Sequence, residues 1–111
     1  MLPKSHRLSR KTLLELRKTG KRLQLDTFSI VFGPNHLNHL RLSTEISTKV
    51  DKRSSRRNAI RRQLYLHVQK TPLIAKSVDV LIIVRPTAKK LIPQTASFKQ
   101  AVNLVVRALL V

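Results

Sequence analysis

Residues 78–84 read VDVLIIV, a short run of β-branched and other apolar residues interrupted only by Asp79. A half-exposed strand alternates polar and apolar positions, so an unbroken run of this length is expected of a central strand buried on both faces. It is far too short to span a membrane, and the N-terminal residues contain no continuous apolar segment of the kind a secretory signal needs. No helix is expected to combine a broad bulky apolar face with a cationic one, so no membrane contact is expected.

The other elements fall into place around that strand. Residues 1–7 read as a flexible basic arm. Ser9 is placed to cap a helix running to about Thr19, with Gly20 as its stop, Leu13, Leu14 and Leu16 on its apolar side, and Arg10, Lys11, Arg17 and Lys18 on its polar side. Residues 23–32 change to a period of two rich in β-formers, which predicts one strand. A connection follows from Gly33 through about His39, then a second extended stretch to Val50 with Leu42, Thr44, Ile46 and Thr48 on one face. From Ser54 the chain reads as a helix, with Ser54 or Ser55 as cap and Ile60, Leu64 and Val68 forming an apolar stripe. Pro72 ends this region and Pro86 closes the central strand. Residues 87–95 form a basic loop, and Ser97 can cap a final helix with Phe98, Ala101, Val102, Val105, Ala108 and Leu109 on one face. At 111 residues and 41% hydrophobic content, the chain is expected to form one α+β domain with helices against one sheet.

Charge decides the kind of partner. Lys and Arg total 23 against five acids, a formal net charge of +18. The densest part is Lys49 to Arg62, where Lys49, Lys52, Arg53, Arg56, Arg57, Arg61 and Arg62 face a single acid, Asp51. Helical charge runs usually mix signs and pair at i,i+4, but a run of one sign repels itself unless anions sit between the cations. A polyphosphate is the simplest source of those anions, so these residues and Asn58 are the candidate binding set. Phe28, Phe32, Tyr65 and Phe98 are too few for extensive base stacking, which favours structured RNA read through backbone and shape. Chemistry by the chain itself is not expected. Its acids are scattered, its two glycines make no phosphate loop, and cysteine is absent, which fits a cytoplasmic protein. His36 and His39 lack further metal ligands, and His67 sits among apolar residues as a packing group. Charge and size alone leave two classes open: a structural RNA-binding protein of the ribosomal type, and a DNA-binding regulator with this helix in a major groove.

Particular residues go further. Leu2, Pro3, Lys4, Arg7 and Leu8, Gly20 after the first helix, Ser47 to Val50, and above all Arg57-Asn58-Ala59-Ile60-Arg61-Arg62, followed by Asp79 to Arg85, stand in the order of one family. The chain resembles the protein subunit of bacterial ribonuclease P along nearly its whole length. That resemblance implies an α-β-β-β-α-β-α sandwich with a left-handed βαβ crossover, a domain type shared with a ribosomal protein. It implies a subunit that binds a catalytic RNA and the 5′ leader of precursor tRNA, one copy per RNA. The chemistry would belong to the RNA, with Mg²⁺ held mainly there. By the same resemblance Lys49, Arg57, Asn58, Arg61 and Arg62 face the RNA, with Lys52, Arg53 and Arg56 beside them. Arg7, Leu13, Leu16, Phe28 and Ile30 would line the leader cleft. The chain departs from the family pattern at Leu13 and Leu16, where phenylalanines are usual, and at Ala59 and Tyr65, where basic residues are common. Its segment from Asp51 to Arg56 is also about one residue longer.

Overall fold

The structure, a computed structural model, describes residues 6–25, 27–85 and 96–110. Helix α1 (Arg10–Thr19) is followed by strands β1 (Lys21–Gln24), β2 (Phe28–Pro34) and β3 (Arg41–Ile46). Helix α2 (Ser54–Gln69), a short 3-10 turn (Pro72–Ala75), strand β4 (Val78–Val84) and helix α3 (Ala96–Leu110) complete it. The sheet order is β1-β2-β4-β3, with β1–β2 and β2–β4 antiparallel and β3–β4 parallel. Parallel neighbours need a crossover, and α2 supplies it.

β4 is the centre of the molecule, and every one of its residues except Ile83 is buried. Side chains alternate between the two faces of a strand, so the register sorts the sheet into two cores. One face carries Phe28, Ile30, Leu42, Ile46, Val80, Ile82 and Val84, and packs with Ile60, Leu64 and Val68 of α2 and Val102, Val105, Val106 and Leu109 of α3. The other face carries Val31 and Leu81, which bury Leu16 of α1, with Leu8, Leu13 and Ile83 packed around them. The second core is small.

Several expected boundaries move. The single strand expected over residues 23–32 is a hairpin of β1 and β2, closed by a Leu25 N–H bond to the Phe28 carbonyl at 2.8 Å. The polar/apolar alternation is unclean there because the run crosses from one strand to the next. α2 is capped by Arg53 rather than Ser54 or Ser55, and no side chain satisfies its first amides. α3 begins before Ser97. The basic loop over residues 87–95, the Phe98 side chain and residues 1–5 of the expected arm lie outside the described residues. The last two residues of that arm are docked: Arg7 bridges to Leu42, and His6 Nδ1 is 2.7 Å from the Leu40 carbonyl.

Two local features hold the α1 side together. Gly20 has φ −70°, so its backbone needs no glycine. Space does. A Cβ there would stand 2.6 Å from the Leu16 carbonyl oxygen and 2.8 Å from Val31 Cγ1, where the helix end drops onto the sheet. Asp79 is the one charged residue of β4, and Arg41, its register neighbour on β3, reaches both carboxylate oxygens at 2.7 Å. Asn35 Nδ2 donates to the same carboxylate at 2.9 Å and to the His39 carbonyl at 3.0 Å. That ties down a loop in which His36 and Asn38 take positive φ.

Two stability outcomes follow. Gly20→Ala should lower the unfolding free energy by about 1–3 kcal/mol in urea titration, since the clash is with backbone oxygen and cannot be relieved by a rotamer. Asp79→Ala should cost about 3 kcal/mol or more, because Arg41 would be left partly buried without its counter-charge. An Asp79→Ala midpoint within error of the parent would show that solvent screens Arg41 in place of the carboxylate.

Candidate nucleic-acid interface

The amino-terminal half of α2 divides its residues by face. Ile60, Leu64 and Val68 lie in the core, as their spacing requires. Asn58, Arg61, Arg62 and Tyr65 follow one another at helical neighbour spacing and line a pocket of about 330 Å³. The Tyr65 ring is itself buried, so it is the floor of this pocket rather than part of a solvent-facing basic stripe. Arg61 is held twice: Nε donates to Thr44 Oγ1 on β3 at 3.1 Å, and Nη1 donates to Asn58 Oδ1 at 2.7 Å. Thr44 was not evident as a site residue in the sequence, because its link to Arg61 joins two elements across 17 positions.

The segment before the helix forms a second concavity of about 430 Å³, lined by Thr48, Lys49, Val50, Asp51, Lys52, Arg53 and Arg56. Asp51 organises it. Its carboxylate accepts from the Arg53 backbone N–H at 2.9 Å and pairs with Arg53 at 3.3 Å and Arg56 at 3.6 Å. These contacts, led by the Arg53 amide, hold the Asp51 pKa below the ordinary carboxylate value. Arg57 is half-buried and turned back on the chain, with Nη1 donating to the carbonyls of Asp51 at 2.9 Å and Lys52 at 3.1 Å. Lys49, Lys52 and Arg62 are exposed. The seven cations thus play different parts: Arg57 braces the loop, Arg53 and Arg56 share Asp51, Arg61 is oriented, and the remaining three face water.

The expected leader-cleft set does not come together. Phe28 and Ile30 are buried in the large core, on the face of the sheet opposite α1. Strand alternation is the reason: in β2 it is Ser29, Val31 and Gly33 that share a face with α1. Leu16 is also buried, against Val31 and Leu81, so it is floor and not lining. Leu13 is half-buried on that face and Arg7 is exposed at the β3 edge. Arg17 of α1 pairs with Glu45 of β3 at 2.8 Å, a bridge across this side that the sequence did not signal.

Among the described residues no group of three or more His, Asp or Glu is placed to hold a metal ion, and no helix is long and apolar enough to cross a membrane. His67 is half-buried on α2. Burial first, then the charges of Lys99 and Lys70, hold its pKa below the usual histidine value, which suits a neutral packing group.

No curated protein sequence matches the chain. The fold is similar to that of solved bacterial proteins. A Staphylococcus aureus RNase P protein mutant with defective mRNA degradation activity aligns at 20% identity with a TM-score of 0.82, over 95% of this chain and 88% of that one. The RNase P protein from Thermotoga maritima aligns at 24% identity and a TM-score of 0.78, over 92% and 93%. The S. aureus RNase P protein at 2.0 Å aligns at 22% identity and 0.81, over 95% of each. These likenesses speak for the fold. The family model for ribonuclease P matches residues 2–109. The chain belongs to the ribonuclease P protein family and is a protein subunit of that endoribonuclease of tRNA 5′ processing.

Proposed function

We propose that the loop from Lys49 to Arg53 and the first two turns of α2 form the face that meets the RNA subunit, and that the assembled particle removes the 5′ leader of precursor tRNA. The observation that carries this reading is the concentration of seven cations around one acid at a helix start with no acidic residue in its first turn. The uncapped amides, which form the positive end of the helix dipole, add to the side-chain charge, so a phosphate backbone relieves both at once. Lys49, Lys52, Arg53, Arg56, Arg57, Asn58, Arg61 and Arg62 all belong to this face. Arg57 works chiefly by holding the loop in shape.

Precursor tRNA is the second partner. Its leader would pass on the α1 side of the sheet, near Arg7 and the half-exposed Leu13, Ser29 and Ile83, none of them aromatic, which suits contact along the backbone more than base stacking. Ribonuclease P requires a divalent metal. We assign Mg²⁺ mainly to phosphates of the RNA, and propose one protein copy per RNA, acting in the cytoplasm. In that arrangement the protein screens repulsion between the RNA and its substrate.

The deciding experiment is cleavage of a precursor tRNA at low Mg²⁺ by a bacterial ribonuclease P RNA, preferably from the same genome, with and without this protein. Protein-dependent cleavage at the mature 5′ end is expected. Tight RNA binding with no stimulation of the cognate RNA would overturn the proposal. For the face itself, Arg61→Ala combined with Arg62→Ala should weaken RNA binding and flatten its log–log salt dependence by roughly one unit per phosphate lost. An unchanged slope would remove this helix from the interface.

A further inference from the structure

We propose that Thr44, a β3 residue outside the basic helix, is a positioning residue that orients Arg61 toward an RNA backbone phosphate. The inference rests on the reading of α2 as the RNA face and adds to it the means by which one of its cations is aimed. Thr44 lies between Leu42 and Ile46 on β3, and those neighbours' side chains enter the large core on the α2 side. Its hydroxyl oxygen accepts from Arg61 Nε at 3.1 Å and stands 3.5 Å from the Tyr65 hydroxyl. At the other end of the guanidinium, Arg61 Nη1 donates to Asn58 Oδ1 at 2.7 Å. Contacts at two nitrogens, from two different elements, fix the plane of a group that otherwise carries large rotamer entropy.

The donor inventory shows what that plane is set for. Five N–H bonds radiate from a guanidinium, and these contacts use one on Nε and one on Nη1. The second Nη1 hydrogen and both on Nη2 remain for a ligand. Asn58 turns its carbonyl oxygen to Arg61, leaving its amide NH₂ as a donor. With Arg62 beside it, the pocket of about 330 Å³ over Tyr65 presents chiefly donors and positive charge. A phosphodiester, with two anionic acceptor oxygens in a fixed fork, matches an arginine whose plane is already set. Presetting reduces the ordering that binding must supply.

The bond could in principle serve only to fasten α2 to the sheet. α2 is already fastened by Ile60, Leu64, Tyr65 and Val68, all buried. A single half-exposed polar contact adds little to that, whereas it governs where the guanidinium points.

The test is a double-mutant cycle read by affinity for ribonuclease P RNA across a salt series, with thermal melting beside it. Thr44→Val should weaken binding by roughly three- to tenfold with the salt slope unchanged, since no charge is lost. Thr44→Ser, which keeps the hydroxyl, should restore affinity, and Thr44→Ala is the second hydroxyl-free variant should valine disturb melting. Arg61→Ala should weaken binding and flatten the slope, and Thr44→Val should add nothing in that background. Parent affinity in both Thr44→Val and Thr44→Ala, with Arg61→Ala weakened, would overturn the role of Thr44 alone. Equal weakening by Thr44→Val with and without Arg61 would reduce Thr44 to a structural residue. Parent affinity and slope in Arg61→Ala would instead overturn the assignment of this part of α2 to the RNA.

Discussion

β4 cannot be exposed on either side, and the rest of the architecture answers that constraint. Antiparallel β2 covers one edge and parallel β3 the other. α2 and α3 close one face and α1 the second. The two faces are unequal. Among the described residues, nineteen buried ones make up the core that α2 and α3 share with the sheet, whereas α1 is held chiefly by Leu16 on Val31 and Leu81. A helix with so small a contact must approach closely, which is why the residue at its end has no room for a side chain. The same face tolerates Asp79 in an otherwise apolar strand because Arg41 and Asn35 surround its carboxylate. The buried charge then acts at a distance by fixing the loop between β2 and β3.

The large core gives α2 its other property. With one stripe committed to the interior, the helix is rigidly presented, and its cations cannot escape one another by reorienting the helix. Self-repulsion is met locally in three ways. Asp51 draws in Arg53 and Arg56, Arg57 is spent on backbone carbonyls, and Arg61 is tethered to Asn58 and Thr44. None of these neutralises the face, because one carboxylate stands against seven cations. What they do is convert a diffuse positive patch into one with preferred directions. The residual charge is then a standing preference for a polyanion.

Features carried by local pattern were readable in the sequence. β4 announced itself by an unbroken apolar run, the buried stripe of α2 by fourfold spacing, and the cap of α1 by Ser9, whose hydroxyl accepts from the Thr12 amide at 3.2 Å. Features fixed by tertiary geometry were not. The hairpin near Leu25 and Phe28 was hidden because both arms favour extended backbone and the turn lacks glycine. Resemblance assigns Phe28 and Ile30 to a cleft, whereas the phase of β2 turns them toward α2 and α3. The phase follows from pairing with β4, where Ile30 meets Ile82 and Val31 meets Leu81, and no periodicity within 23–32 reveals it. Gly20 is legible as a helix stop, but what requires glycine there, the lack of space beside Leu16 and Val31, is visible only in the packing. Thr44 looked like an ordinary strand residue, since its consequence lies entirely in a partner on α2.

Affinity and register are separable demands on such a surface. Seven mobile cations alone would bind RNA tightly but would hold it in many arrangements of similar energy, because phosphates repeat along every strand. A subunit that serves one cleavage site needs some contacts that lose energy when the RNA shifts by a fraction of a nucleotide. Directional bonds from an oriented guanidinium have that property, and a lysine ammonium on a flexible stem does not. On the proposed assignment of this face to RNA, the exposed Lys49 and Lys52 answer the first demand and the tethered Arg61 the second. A strand hydroxyl stands under a helix arginine, so the packing which buries β4 also sets the geometry of a surface charge.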